Sequence, residues 1–557
     1  MSPTTVNEVL ACQNRDQPSV GHINSLPADV LLDIFEQYVR PGPIYPEAAC
    51  WMGEPPSARA IEYLHDRGKN SPFIIDQVCQ TWRQLCRSNS GLYSDIHIVD
   101  PKPQDVVRVK TMLKLSKDRP LRVFLQDRQC SHPATQVSVT AGQGTARRDQ
   151  SEQRSDHLVS WNRILQSVLS TPRIEKLYLT ITHEASSQCW RNTWETRETN
   201  WLYVSFPLLT TLYVNMNFKQ NMVENIFVRD LVSRACATSP RLTDVRFDSI
   251  FSLFHLTGGD EVGPNELRPT AKMIPWRNLT SLSMCVRYLG KALTILGQCP
   301  LLQTVELYGI RNTMFPDTLI ASANGDMTSV QQEQNLVREP VNLPFLWSLF
   351  LSMGDTVADT FEPLLYLKAP ALKCLTLQRT EQRQTGVIPF EMQRDALLGA
   401  LTVFHKRNPG CRIQTFTNMQ QWCAGDVGYQ QILSHPIFQD ILWLMVDDVV
   451  GEETLEWLTW DRTSTSNNAR DLPVLPKLRT LSVRTDAKDG LMSQMVASRV
   501  VDVPHPILRV VYAQFTQCLK KVCRQKDRKG SHQLAPLLEW LAYGISKHSE
   551  CSLCGST

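Results

Sequence analysis

One eight-residue pattern, Pro-x-Leu-x-x-Leu-x-Leu, returns along most of the chain and limits the folds open to it. It reads PRIEKLYL from Pro172, PLLTTLYV from Pro207, PRLTDVRF from Pro240 and RNLTSLSM from Arg277. It returns as PLLQTVEL from Pro300, PFLWSLFL from Pro344, PALKCLTL from Pro370 and PKLRTLSV from Pro476. Two weaker copies, CRIQTFTN from Cys411 and PIFQDILW from Pro436, fill the widest gap. Successive clear copies up to Pro370 lie 35, 33, 37, 23, 44 and 26 residues apart, mostly the range in which one strand plus one helix makes a unit. The sixth and eighth residues are apolar with one residue between them, so they share one side of a strand and face a core.

Helix-like stretches lie between the copies, among them HLVSWNRILQSVLS, NIFVRDLVSRACA, YLGKALTILGQ and QRDALLGALTVFHKR. No single strand–helix unit can bury its own apolar face, so neighbours must stack. A doubly wound nucleotide enzyme would carry glycine-rich strand–helix turns, and these junctions have none. Over residues 158–500 the arrangement resembles leucine-rich repeats. The resemblance implies an α/β solenoid, with parallel strands on one face and helices on the other. The seventh residue of each copy then points away from the core. Tyr178, Tyr213, Arg246, Glu306 and Phe350 take that position and form the candidate target-binding face, because aromatic and Arg side chains serve as anchors.

The N-terminal region carries a second signal. In HINSLPADVLLDIFEQY, residues 22–38, Pro27 suits a first helical turn and Asp29 the positive end of the helix. Val30, Leu31, Ile34, Phe35 and Tyr38 give that helix an apolar stripe. Later, IIDQVCQTWRQLC at 74–86 sets Val78, Trp82 and Leu85 at helical spacing, with Cys79 and Cys86 as small neighbours. Both motifs, in this order, resemble the two helices of an F-box, and long insertions between them are common in F-box proteins of fungi. An F-box links its helices within roughly a dozen residues, as helix connections usually do, whereas Arg40–Ser71 intervene here. Lengthening a surface loop costs little closure entropy, so the halves can still pack together.

The F-box resemblance implies a substrate-recognition adaptor of a Skp–cullin–F-box ubiquitin ligase. Its Skp-binding and core residues would be Leu26, Pro27, Val30, Leu31, Ile34, Phe35, Val78, Cys79, Trp82 and Leu85. The Skp subunit would bring a cullin, and the repeats would hold an unknown target protein. The alternative is a non-catalytic repeat scaffold or binding module acting without ubiquitylation.

Composition excludes other classes. With 58 basic and 55 acidic residues in 557, the net charge of +3 gives no bulk attraction to nucleic acid or to an anionic membrane. No apolar run is long enough to span a bilayer, and no basic-then-apolar leader opens the chain. Sixteen cysteines without framework spacing fit a reducing cytoplasm or nucleus. No catalytic motif is present, so neither enzymatic activity nor a cofactor is expected. His548, Cys551 and Cys554 offer three zinc-ligand types without a fourth, so no metal site is assigned. The expected layout is a disordered N-terminus over 1–21, then an F-box-like domain over 22–98 with an insertion at about 40–71. A linker with a mobile polar insertion over 99–157, the repeats over 158–500 and a helical segment with tail over 501–557 complete it.

Overall fold

The computed structural model describes residues 26–39, 71–127, 163–181, 205–216, 226–247, 274–285, 289–310, 339–353, 361–379, 390–419, 425–460, 474–501, 507–515, 525–538 and 540–545, together with residues 23 and 159–161. The expected disordered stretch at 1–21, the insertion at 40–70, the polar segment at 128–157 and the trio His548, Cys551 and Cys554 lie outside them.

Among the described residues, three short helices come first: α1 (Ala28–Val39), α2 (Pro72–Ile75) and α3 (Gln80–Ser88). Leu31, Phe35 and Val39, spaced by four, are buried along one side of α1. Burying each such side chain contributes about 1.5–3 kcal/mol, which a helix this short needs. The motif expected to form one helix over 74–86 is broken in two. Ser71 caps α2, its Oγ accepting from the Phe73 N–H at 3.3 Å. The chain then turns through Asp76–Val78, and extended Cys79 caps α3, its Sγ accepting from the Trp82 N–H at 3.4 Å.

The break is held by Asp76, which is buried. Its carboxylate accepts from Tyr93 Oη at 3.0 Å and from Arg87 Nε at 3.2 Å. Its main-chain oxygen accepts from Arg83 Nε at 2.9 Å. Asn89 donates to Glu36 at 3.1 Å, joining the end of α3 to α1 across the insertion. Phe35 and Trp82 meet with ring centroids 4.8 Å apart. The two motifs therefore fold as one packed unit.

A 3-10 turn, Ser90–Tyr93, leads from α3 into the sheet. The first repeats give β1 (Asp95–Val99), α4 (Pro103–Leu115), β2 (Leu121–Asp127), β3 (Ile174–Ile181), β4 (Thr211–Met216), α5 (Ile226–Thr238) and β5 (Asp244–Phe247). The middle supplies β6 (Ser281–Cys285), α6 (Leu289–Gly297), β7 (Thr304–Ile310), β8 (Val341–Asn342), β9 (Ser348–Met353), α7 (Glu362–Tyr366), β10 (Leu367–Lys368) and β11 (Cys374–Arg379). The chain continues with α8 (Phe390–Arg407), β12 (Thr415–Met419), α9 (Gly425–Leu433), β13 (Trp443–Val450), α10 (Glu452–Leu458) and β14 (Thr480–Thr485). It ends in α11 (Leu491–Val500), β15 (Val510–Phe515), α12 (Gln525–Leu534) and β16 (Trp540–Ile545).

Apart from the short β8–β10 pair, the strands form one 14-stranded sheet in chain order, with every neighbour parallel. In the second half, successive helices α8 to α12 pack side by side along the sheet. This is an α/β repeat solenoid. The sixth residues, Val123, Leu177, Leu212, Val245, Leu282, Val305, Leu349 and Leu375 among them, are at most 1% exposed and build the helix-side core.

The sheet runs past the expected limits at both ends. β1 and β2 lie in stretches read from sequence as F-box-like domain and linker, and after 500 the strands β15 and β16 flank the helix α12 where only a helical segment was expected. The copy placed at Pro436 is also out of phase. Pro436–Phe438 is a 3-10 turn whose Ile437 and Phe438 are buried, and the strand residues entering the core after Ile441 are Leu444 and Val446.

Candidate functional site

Two regions carry the residues that sequence singled out. In the N-terminal unit, Leu31 and Phe35 are buried, and Trp82 and Leu85 are half-buried against the same core. Cys79 is half-buried as the cap of α3. Leu26, Pro27, Val30 and Ile34 are exposed, as are Tyr38, Ile74 and Val78. The helix α1 thus carries two apolar stripes. One, Leu31–Phe35–Val39, faces the core; the other, Val30–Ile34–Tyr38, continues the line from Leu26 and faces outward. Exposed apolar residues aligned in this way mark an interaction surface more often than scattered ones do. Burial, reinforced by the Asp76 charge, pushes the Cys86 thiol up to about 12 and leaves it a protonated packing group.

The second region is the sheet face opposite the helices. Its seventh-position row is continuous through the register His97–Phe124–Tyr178–Tyr213–Arg246–Ser283–Glu306–Phe350–Thr376. Over β1–β4 the row is an aromatic ladder. His97 stacks on Phe124 at 4.4 Å, Phe124 meets Tyr178 at 6.4 Å, and Tyr178 meets Tyr213 at 6.0 Å. Next in line, Arg246 is forked onto Asp244, with Nε–Oδ1 at 3.0 Å and Nη2–Oδ2 at 3.3 Å. Burial works against the Arg246 charge, but Asp244 and Glu306 outweigh it and hold its pKa above the usual value. Glu306 accepts from Tyr308 Oη at 2.9 Å, and Tyr308 packs on Phe350 at 5.1 Å.

The candidate face therefore divides. Tyr213, Glu306 and Phe350 are at most 2% exposed, and Tyr178 and Arg246 are half-buried. These side chains satisfy one another: rings lie on rings and charges are paired inside the row. Phe124, Tyr213 and Phe350 are buried outside the helix-side core, as a second apolar layer on the far face.

From β11 to β14 the same face changes character. Its fifth positions are Cys374, Thr415, Trp443 and Thr480, and its seventh positions are Thr376, Thr417, Met445 and Ser482. Small hydroxyl side chains leave a shallow concavity, about 270 Å³ including its open mouth, lined by Thr415, Thr417, Trp443, Met445, Thr480 and Ser482. Sequence reading missed Trp443 and Met445 because the copy at Pro436 was out of phase. The alternation Leu444–Met445–Val446 after Ile441 is the signal that sets the correct phase. Beyond this floor, Val446–Val449 forms a bulge against β14, placing Asp447 and Asp448 at the C-terminal rim.

No family model matches the chain, and no curated protein matches it. Among solved structures it is similar to a structural-genomics target from Bacteroides fragilis, at 12% identity and a TM-score of 0.30, covering 73% of this chain and 85% of that one.

Proposed function

We propose that the chain is a substrate-recognition adaptor of a Skp–cullin–F-box ubiquitin ligase. The observation that carries this reading is the double stripe of α1. A helix that needed only its own fold would expose polar residues beside Leu31 and Phe35, yet Val30 and Ile34 are 39% and 40% exposed. Val78, on the limb between α2 and α3, is 57% exposed. These residues belong to the two motifs that resemble an F-box. Covering them with a Skp subunit would remove their apolar surface from water at about 25 cal/mol per Å².

On this reading the mechanism is proximity. The helical unit runs directly through the Ser90–Tyr93 turn into β1, so a target held on the repeats is carried on the body that binds Skp. Its lysines then meet ubiquitin, activated on other subunits, at raised effective concentration. The test is co-purification of a Skp subunit with the Val30→Asp/Ile34→Asp double variant. Both side chains are exposed, so the fold should survive while Skp capture is lost. Substitution of Leu31 would not serve, because a charge at a 2% exposed position disrupts the core itself. Undiminished Skp capture by the double variant would refute the reading.

A further inference from the structure

The strands all begin along one edge of the sheet, and the backbone sets out the residues just before them. From Thr280 to Arg479, the fourth residue of each copy donates its N–H to the carbonyl of the fourth residue one strand earlier. These side chains therefore stand in a row, about 4.8 Å apart. Most are polar, among them Thr243, Thr280, Gln303, Lys373 and Gln414. Trp347 breaks the row and is 47% exposed. In the turns of the same two neighbouring strands, β7 and β9, Leu301 and Phe345 are 44% and 56% exposed. Three large apolar side chains thus face water together at the middle of the edge. Grouped in this way they mark an interaction site, where scattered ones would not.

This edge is basic, although the net charge of the chain is only +3. At the first, second and fourth positions of the copies from β5 to β14, the described charges are Arg241, Arg277, Lys373, Arg412, Lys477 and Arg479 against one acid, Asp440. Asp440 is already held by Lys477 at 2.8 Å. Arg241, Arg277, Lys373 and Arg479 are exposed, and among the described residues none of them is in an ion pair. The strand order sets Arg277 and Arg241 two and three strands from Trp347 on one side, about 10 and 14 Å. Lys373 and Arg479 lie one and four strands away on the other side, about 5 and 19 Å. An apolar centre within a charged rim is the anatomy of a protein interface, and Trp and Arg carry much of the binding energy in such interfaces. Carboxylates are what the four cations lack. A nucleic acid would also meet those cations, but Leu301 beside Phe345 suits the apolar side chains of a protein.

We propose that this edge docks an extended, acidic segment of a partner protein. An apolar side chain of the segment covers Leu301, Phe345 and Trp347. Carboxylates on either side of it meet Arg277 and Arg241 on one flank and Lys373 and Arg479 on the other. At about 3.3 Å per extended residue, those carboxylates fall within about six residues of the apolar anchor. The surface is separate from the Val30–Ile34 stripe of α1, so the inference does not depend on the adaptor reading; under that reading the partner is the target.

The experiment is selection of a phage-displayed random 12-residue library on the full chain, followed by fluorescence polarisation of the enriched peptides. Enriched sequences should carry an aromatic or aliphatic residue with acidic residues on both sides. Trp347→Ala should weaken their binding about tenfold or more, and so should the double reversal Lys373→Glu/Arg479→Glu. Binding should also fall as salt rises, because the cations are exposed. All three side chains are exposed, so the urea midpoints of both variants should match that of the parent chain. Tyr512→Ala, an exposed position on the sheet face, should leave binding unchanged and so places the site on the edge. Absence of enriched peptides, enrichment without acidic residues, or binding indifferent to either edge variant would overturn the proposal. Tighter binding of a 12-nucleotide oligouridylate than of the best peptide would overturn it as well.

Discussion

The two halves of the sheet face are built on the same backbone and the same register, yet they have opposite surfaces. From β1 to β9 the outward row is filled with His97, Phe124, Tyr178, Tyr213 and Phe350, and its charges pair within the row as Arg246–Asp244. From β11 to β14 the row shrinks to Thr376, Thr417, Met445 and Ser482 and opens a depression. The difference teaches that side-chain volume, not strand geometry, decides which part of a repeat face can receive a ligand. Large aromatics on β2–β4 and β9 give the first half a second core, and small hydroxyls give the second half a floor.

The largest expected effect separates these roles. Tyr213→Ala should cost about 3–5 kcal/mol, as truncation of a fully buried aromatic does, whereas half-buried Trp443→Ala should cost about 1 kcal/mol or less. Urea unfolding followed by circular dichroism reads the comparison through midpoint shifts at unchanged slope. Equal losses would show that the second half is as tightly packed as the first.

A smaller effect contrasts used and unused hydroxyls. Thr485→Val should cost about 1–2 kcal/mol because it strips two hydrogen bonds at a fully buried position. Thr417→Val should leave stability unchanged within about 0.5 kcal/mol, or raise it, since a hydroxyl without a partner is removed. A loss at Thr417 as large as that at Thr485 would mean that the Thr417 hydroxyl serves the fold.

The smallest expected effect concerns acid. Burial, helped by the neighbouring His405, lowers the His435 pKa below its ordinary value of 6.5. The ring also accepts from the Ile437 N–H through Nδ1 at 3.3 Å, which only an unprotonated Nδ1 can do. A depressed histidine pKa contributes stability that is present above the unfolded value and lost as pH falls from 6.5 toward the folded one. The unfolding midpoint should therefore drop between pH 7.5 and pH 5.5, and His435→Gln should flatten that dependence. An unchanged slope in the variant would rule out His435 as the source.

Most of the fold was legible because the strand signal is local: two apolar residues with one between them fix the face, and the third position fixes the start of each strand. The phase failed at Pro436, where a proline and two apolar residues imitate a copy but form a 3-10 turn. The final copies, PILRVVYA from Pro506 and PLLEWLAY from Pro536, match the pattern in the sequence and hold β15 and β16, where a helical segment was expected. The F-box-like residues were recognisable as a group, but not which of them face inward. On α1, neighbours Val30 and Leu31 are equally apolar, and only packing of the helix against α3 and the turn before β1 buries the second of them. For the same reason the buried state of Tyr213, Glu306 and Phe350 was not visible. A period of two assigns a face, while the bulk of the residues on adjacent strands decides whether that face reaches water.

The adaptor reading meets its most direct test in hydrogen–deuterium exchange of the full chain with and without a purified Skp subunit. The account predicts added protection over residues 26–38 and 73–78, with the sheet from β11 to β14 unchanged. Protection confined to the sheet face, or no protection at any residue, would contradict it.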